Sequence, residues 1–165
     1  MKKLLVFVIL IFAGFMFYNL YQKYLAPFVN ETVPNNPKSS IVQIKDTTYQ
    51  VEIADNDEKR VQGLSGRNEL AKDRGMLFIF PDSDYHTFWM RGMKIPLDFI
   101  WIKDAQIVDV TENVAAPLTD TYAPPTIKPK QPVNTVLEIN AGEVKAHGFQ
   151  IGDQVTISLF ETELN

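Results

Sequence analysis

The sequence predicts a mainly β (α+β) fold: a small antiparallel barrel or sandwich of seven or eight strands with two short helices. Residues 41–44 and 49–53 alternate between apolar and polar side chains and flank a short polar turn, which is the pattern of a hairpin with one buried face. Residues 75–80 and 97–102 are apolar at nearly every position, as in central strands that are covered on both faces.

Two short helices are expected. Asn56 or Asp57 can cap the first, which ends at Gly63 or Gly66 because glycine accepts the left-handed conformation of a helix C-terminus. Residues 141–147 have room for one or two turns of the second.

Three further segments, residues 106–110, 134–139 and 154–160, alternate as strands do. On the second of them the apolar side chains share one face, and Glu138 and Asn140 lie on the other. We expect this polar pair to point toward solvent or a cleft.

Composition indicates one globular domain and narrows its chemistry. A chain of 165 residues that is 45% hydrophobic can bury one packed core. There is no cysteine, which excludes disulfides, thiolate nucleophiles and cysteine zinc sites. Three lysines and no acids precede Phe28, so 13 basic and 20 acidic residues follow. We therefore expect no nucleic-acid partner, because a phosphate backbone is bound by a basic surface.

The N-terminal residues are expected to set the location of the protein. Two lysines precede an apolar run, residues 4–21, that is just long enough to span a membrane as a helix. We interpret residues 1–25 as a signal or membrane anchor, residues 26–40 as a proline-rich linker, and residues 41–165 as a single β-rich domain on the extracytoplasmic side of the cell membrane. If the signal is cleaved, the domain is secreted instead.

The densest group of chemically distinctive residues begins at His86. A strand there would place Trp89 and Arg91 on one face and His86 and Met90 on the other. Trp89 would be a stacking platform beside a bidentate donor, which suits a carboxylate, a phosphate or a sugar. In the alternative, Trp89 belongs to the core and Arg91 covers it.

Asp98 enters an otherwise apolar strand, and a buried carboxylate is costly without a partner. We expect a buried ion pair with Arg74 or Arg91, and Arg74 is favoured because it opens the other doubly apolar segment. In the alternative, Asp98 is an acid or an anion clamp in a cleft. Asp98, Glu112 and Glu138 could then include the acid/base pair of a hydrolase or lyase.

A metal site is a third hypothesis. His86, Met90 and Met93 offer one imidazole and two thioethers, which are suitable donors for Cu(I) in an exported protein without thiols. Methionine is also a common filler of irregular cores, which is the alternative. We expect no other metal and no cofactor.

Several short motifs are similar to those of one family: Gly63-Leu64, Gly75-Met-Leu-Phe78, Phe88-Trp-Met90, Ile95-Pro-Leu-Asp98, Leu137-Glu138 and Gly152-Asp153. Over residues 41–160 the chain resembles the domain-of-unknown-function 192 family. The resemblance implies a compact β-rich domain, often behind an export signal, and it implies no reaction. Many relatives carry asparagine where this chain has Arg91-Gly92-Met93, so copper binding through Met93 is not a family trait.

These observations favour an uncharacterised, membrane-anchored binding module over an enzyme. Its ligand is expected to be small or envelope-derived, either a glycan or an anion. The predicted ligand-binding residues are Arg74, Trp89, Arg91, Asp98, Glu138 and Asn140. A carboxylate-dependent hydrolase or lyase acting on an envelope substrate, and a Cu(I)-binding protein, are the alternatives.

Overall fold

Nine strands and two short helices form the part of the chain that the structure describes, residues 39–118 and 126–159 of a computed structural model. The strands are β1 (Ser39–Ile44), β2 (Thr47–Ala54), β3 (Arg74–Asp84), β4 (Phe88–Trp89), β5 (Leu97–Lys103), β6 (Gln106–Val114), β7 (Thr126–Ile127), β8 (Val133–Asn140) and β9 (Val155–Leu159). The helices are α1 (Asp57–Gln62) and α2 (Glu143–His147). The mainly β fold with two short helices is confirmed, and the small ribbon formed by β4 and β7 adds to the predicted strands.

Seven strands form one sheet in the order β6-β5-β8-β3-β2-β1-β9. All neighbours are antiparallel except β2 and β3, between which α1 provides part of the crossover. The two ends of this sheet meet, because Gln106 at the start of β6 forms an antiparallel bridge with Gln154 just before β9. A backbone hydrogen bond of 2.9 Å from Ile107 to Asp153 adjoins this bridge. The sheet therefore curls round to close on itself at this point.

The two faces of the sheet carry separate apolar cores. The inner core draws side chains from all seven strands, among them Tyr49, Leu77 and Ile100, and Val144 of α2 packs into it. The outer core lies on the opposite face of β3, β5 and β8. It is covered by apolar residues that lie outside the strands of this sheet: Leu64, Met90, Met93, Ile95 and Ile127 of β7. The prediction that β3 and β5 are covered on both faces is thus confirmed.

The local signals of the first hairpin and the first helix are also confirmed. β1 and β2 pair directly from Ile44 and Thr47, so the turn between them is two residues long. The Asn56 side chain accepts a hydrogen bond of 3.0 Å from the Lys59 amide and caps α1. The helix ends at Gly63, whose φ of 48° is in the left-handed region.

The strands β3 and β8 approach each other too closely for a side chain at Gly75. A Cβ atom there would lie 2.6 Å from the backbone oxygen of Glu138. Glycine at this position therefore fixes the contact between the two strands that carry much of the outer core.

The N-terminal predictions fall largely outside the described residues. The signal or anchor, residues 1–25, is not described, and of the linker only Ser39 and Ser40 are, within β1. In the described part of the chain, no helix is long and apolar enough to cross a membrane.

Candidate functional site

A pocket of about 250 Å³ opens on the outer face of the sheet. It lies between α1 and the turn that follows it, the strands β3 and β4, and one residue of β8. Its apolar lining consists of Val61, Leu64, Phe78, Phe80, Phe88, Trp89 and Met93. Its polar side chains are Asp57, Arg60, Gln62, Ser65, Thr87 and Glu138. A mainly apolar concavity with a few polar groups is the usual form of a small-molecule site.

Glu138 is the buried acid of this pocket. Because side chains alternate along β8, Leu137 and Ile139 enter the inner core and Glu138 enters the outer one, opposite Met76 and Phe99. Only 5% of its surface is exposed. Among the residues that the structure describes, none forms a hydrogen bond or an ion pair with its carboxyl group.

The surroundings of Glu138 disfavour its charged form. Desolvation by burial raises the pKa of its carboxyl group to about 8. At neutral pH the folded protein therefore holds a neutral carboxylic acid at this pocket. The expectation that Glu138 faces a cleft is consistent with this placement.

Aromatic side chains form one wall of the pocket. Phe88 on β4 packs edge to face with Phe78, Phe99 and Trp101, at ring-centroid distances of 5.0, 5.8 and 5.5 Å. The next residue, Trp89, faces the other way and is 48% exposed. The predicted alternation of this strand is confirmed, and the alternative that Trp89 is a core residue is wrong. Trp89 can therefore be a stacking platform at the pocket.

Arg60 is the basic residue of the lining, and its guanidinium is already engaged. Its Nη1 donates to the Ile79 carbonyl at 2.7 Å, and its Nη2 donates to the Asp57 carboxylate at 2.8 Å. Its Cζ lies 5.1 Å from the centroid of the Phe80 ring. The sequence interpretation missed Asp57, Arg60 and Phe80. The i,i+3 spacing of Asp57 and Arg60 on a capped helix is a signal that could have indicated their contact, but nothing in the pattern places that helix beside β3.

Asp98 lies on the other face of the sheet from Glu138, and its surface is fully buried. Its Oδ1 accepts a hydrogen bond of 2.7 Å from the Asn113 amide, and its Oδ2 accepts one of 2.9 Å from the Val144 amide in the first turn of α2. Asn113 has a φ of 54°, so Asp98 also holds a left-handed residue of β6 in place. The carboxylate is satisfied entirely by backbone donors.

The predicted ion pair of Asp98 with Arg74 or Arg91 is therefore wrong. Strand alternation directs Arg74 to the same face as Met76 and Phe78, away from Asp98, and both arginines are exposed. Neither arginine lines the pocket. Of the predicted binding residues, the structure brings only Trp89 and Glu138 together there.

Asn140 has a structural contact on the outer face. Its side-chain amide donates to the carbonyls of Leu70 and Ala71 at 2.9 and 3.3 Å. Nearby in sequence, Arg67 forms a bidentate ion pair with Glu52, with distances of 2.5 and 2.7 Å. The hydrogen bond and charge of Arg67 lower the pKa of Glu52. Both contacts tie the segment between α1 and β3 to the sheet.

A second polar cluster joins α2 to the first hairpin. Glu143 accepts a hydrogen bond of 3.1 Å from the Tyr49 hydroxyl and lies 3.2 Å from His147 Nε2, and His147 Nδ1 is 3.1 Å from the Thr47 hydroxyl. Burial and the charge of Glu143 raise the pKa of Tyr49. None of these residues lines the pocket, and His147 is exposed. The cluster fastens α2 to the sheet.

The copper hypothesis stays a prediction. Met90 and Met93 are buried in the outer core. His86 stacks on Phe80 at a centroid distance of 3.6 Å, and its Nε2 is 3.2 Å from the Asp82 carbonyl oxygen. Within residues 39–118 and 126–159 no group of three or more His, Cys, Asp or Glu side chains could hold a metal ion. Glu112, the third predicted carboxylate, is exposed on β6.

Comparison with known proteins places the chain in a family. Residues 40–157 match the family DUF192, described as "Uncharacterized ACR". No curated protein matches the sequence. A solved protein from Sinorhizobium meliloti 1021, described as a "putative transcription regulator", is 34% identical with a TM-score of 0.64, and the match covers 72% of this chain and 92% of that one. A protein of unknown function from Novosphingobium aromaticivorans DSM 12444 is 30% identical with a TM-score of 0.63, covering 72% and 83%. The chain belongs to the DUF192 family.

Proposed function

We propose that this domain binds a small ligand in the pocket lined by Glu138 and Trp89. The observation that supports this proposal most is the carboxyl group of Glu138, which lines a pocket and has no hydrogen-bond partner in residues 39–118 and 126–159. The carboxyl oxygens of Glu138 are not fully enclosed, so a ligand in the pocket can reach them, and a hydrogen bond to a charged group contributes about 1.5 to 3 kcal/mol. A ligand that supplies the missing partner recovers this free energy, whereas an apolar side chain would serve a purely structural role better.

The pocket suits a ligand of about one ring. Its volume of about 250 Å³ lies just below the usual range for drug-sized ligands, so a single sugar unit or a molecule of that size fits. Trp89 can stack on such a ring. An anionic ligand has less support, because the guanidinium of Arg60 is occupied by Asp57 and Ile79. The geometry thus favours the glycan-like part of the expected ligand class.

The location of the domain is part of the proposal. Two lysines followed by the apolar residues 4–21 support a membrane anchor, with the domain on the extracytoplasmic side. The relative described as a "putative transcription regulator" raises nucleic acid as a partner. The 20 acidic residues against 13 basic ones after Phe28 argue against it for this chain, because a phosphate backbone would be repelled.

Trp89 fluorescence tests the proposal. Trp101, the other tryptophan, is fully buried, so a ligand-induced change in emission reports on Trp89. We expect at least one envelope glycan fragment or small ring compound to shift the emission and raise the melting temperature. Trp89→Ala removes the fluorescent reporter, so its test is the loss of the rise in melting temperature. An exposed aromatic outside the lining, Tyr85→Ala, is the matched control. A panel that leaves emission and melting temperature unchanged would contradict ligand binding.

A second candidate function, a carboxylate-dependent hydrolase or lyase, is favoured by one observation. The pKa of Glu138, raised to about 8, keeps a proton on the pocket acid at neutral pH, as in a general acid. Asp98 cannot complete an acid/base pair, because it lies on the other face of the sheet. If the domain is an enzyme, Glu138→Gln should reduce turnover of an envelope substrate by about 100-fold or more while binding remains. Unchanged turnover would exclude Glu138 as the catalytic residue.

A further inference from the structure

We infer that the pocket selects a cation: a protonated amine carried on a small ring or apolar body. This inference rests on the proposed function and narrows its ligand class. It follows from three features of the lining, namely the partnerless carboxyl group, the aromatic wall and the balance of charge around them.

Among the described residues, the ionised carboxyl group of Glu138 has neither a hydrogen-bond donor nor a counter-charge. An ammonium group supplies up to three donors and a full positive charge. In a poorly hydrated pocket the attraction between the two charges is much stronger than in water. A neutral hydroxyl supplies one donor and no charge, so it satisfies Glu138 less completely.

The aromatic wall favours a cation near the carboxyl group. Phe78, Phe88 and Trp89 all line the pocket, and the negative faces of such rings attract ammonium groups. The pocket already shows one such contact, because the Arg60 guanidinium lies 5.1 Å from the centroid of Phe80. A carboxylate beside several aromatic rings is a chemical environment suited to an amine.

The other charges around the pocket are balanced. On α1, Arg60 and Asp57 neutralise each other at 2.8 Å. The strands next to β8 place Met76 and Phe99 beside Glu138, and neither is charged. One strand further, Glu52 is neutralised by Arg67. Asp57 and Glu138 are the acids of the lining. Of these two, Glu138 is the one that no basic side chain of the described residues neutralises.

A matched set of three probes tests the inference: cyclohexylammonium, cyclohexanol and cyclohexanecarboxylate, which share one ring and differ in charge. Their affinities are measured at pH 9 by calorimetry and by Trp89 fluorescence on the folded domain. We expect the ammonium to bind at least tenfold more tightly than the alcohol, and the carboxylate to bind most weakly. A second pair of probes, glucosamine and glucose, is compared at pH 7, where the amine of glucosamine is protonated. This pair repeats the comparison on a sugar and distinguishes an amino-sugar ligand from a simple alkyl amine.

The pH dependence gives a signature that a neutral ligand lacks. A cation binds the ionised carboxylate, and the free protein holds the proton below about pH 8. The affinity for cyclohexylammonium should therefore rise about fifty-fold from pH 6 to pH 8 and then level off. In Glu138→Gln this rise should disappear, while Glu112→Gln, which changes an exposed acid outside the lining, should keep it. If Glu138→Gln does not fold, the pH dependence of the affinity of the wild-type protein is itself the test.

The outcomes separate the two proposals. If cyclohexanol binds as tightly as the ammonium, or if the affinity falls as pH rises through 8, selection of a cation is wrong and the small-ligand pocket remains. If none of the three probes binds but a neutral glycan fragment shifts Trp89 emission, selection of a cation is again wrong. If no compound of either panel binds, both proposals are wrong.

Discussion

Asp98 and Glu138 are two buried carboxyl groups on neighbouring strands, and they differ in almost every other respect. In the pairing of β5 with β8, Asp98 lies opposite Ile139, and Glu138 lies opposite Phe99. Asp98 faces the inner core and accepts two backbone hydrogen bonds. Glu138 faces the outer core and receives no hydrogen bond from the described residues. Burial alone therefore does not reveal what a carboxyl group does.

The difference follows from how each core is covered. On the inner side, a bulged part of β6 and the start of α2 present backbone amides that need an acceptor, and Asp98 provides it. On the outer side, α1, β4 and the segments beside them enclose Glu138 with mostly apolar side chains and leave a pocket. The inner carboxylate stabilises the fold, and we propose that the outer carboxyl group binds a ligand.

The largest expected effect is a fall in the free energy of unfolding as pH rises, caused by the ionisation of Glu138. Its pKa is raised from the value of 4.5 in the unfolded chain to about 8 in the folded one. Below pH 4.5 both states hold the proton, so there is no effect. Between pH 4.5 and 8 the unfolded state releases it first, so the free energy of unfolding falls as pH rises. By pH 9 the loss should be about 5 kcal/mol.

Glu138→Gln isolates this effect, because glutamine does not titrate. Urea unfolding from pH 4 to pH 9 should show similar stability for the two proteins at pH 4 and a more stable variant at pH 9. A constant difference across this range would mean that Glu138 ionises normally in the folded protein.

Asp98→Ala should have the next largest effect. It should destabilise the protein, whereas Glu138→Gln should stabilise it at pH 9. The alanine substitution leaves the amides of Asn113 and Val144 without their acceptor, which should reduce the free energy of unfolding by about 3 kcal/mol. Chemical denaturation at pH 7 measures this loss, and Asp104→Ala in the exposed turn after β5 is the control. A midpoint equal to that of the wild type would show that Asp98 does not hold α2 and β6.

Gly75→Ala tests how tightly β3 packs against β8, the strand that carries Glu138. The new methyl group would lie 2.6 Å from the Glu138 backbone oxygen, so β3 and β8 must separate. We expect a loss of about 2 kcal/mol in urea unfolding and a weaker response of Trp89 to ligand. A variant as stable as the wild type would mean that these strands move apart freely.

Trp89→Ala should have the smallest effect on stability. Because its side chain is about half exposed, the free energy of unfolding should change by about 1 kcal/mol or less. Its effect should appear in binding instead. Thermal unfolding with and without ligand separates the two, and a large loss of stability in the free protein would place Trp89 with the structural residues.

The sequence predicted individual elements better than their mutual arrangement. The cap of α1 at Asn56, the first hairpin and the alternation around Trp89 depend on neighbouring residues, and they are confirmed. Strands that are apolar on both faces, such as β5, do not show which face looks inward. For this reason Asp98 and Arg74 could not be assigned to opposite sides of the sheet from the sequence.

The candidate site shows the same limit. Glu138 and Trp89 were predicted from strand alternation, and both line the pocket. Arg60 and Phe80 were missed. Their contact joins a helix to a strand that lies nineteen or more positions away in the sequence, and local patterns do not predict which distant elements pack together. Burial without a hydrogen bond, which distinguishes Glu138, is a property of the packed molecule and has no signature in the sequence.

Carboxyl ¹³C NMR measures directly whether Glu138, unlike Asp98, is a neutral acid in the free pocket. A titration of the uniformly labelled domain from pH 3 to pH 10, with Glu138→Gln used to assign the resonance, gives the pKa of this one group. We predict a midpoint near pH 8 that moves down when cyclohexylammonium is added. A Glu138 midpoint near pH 4.5, the ordinary value for a glutamate, would contradict it.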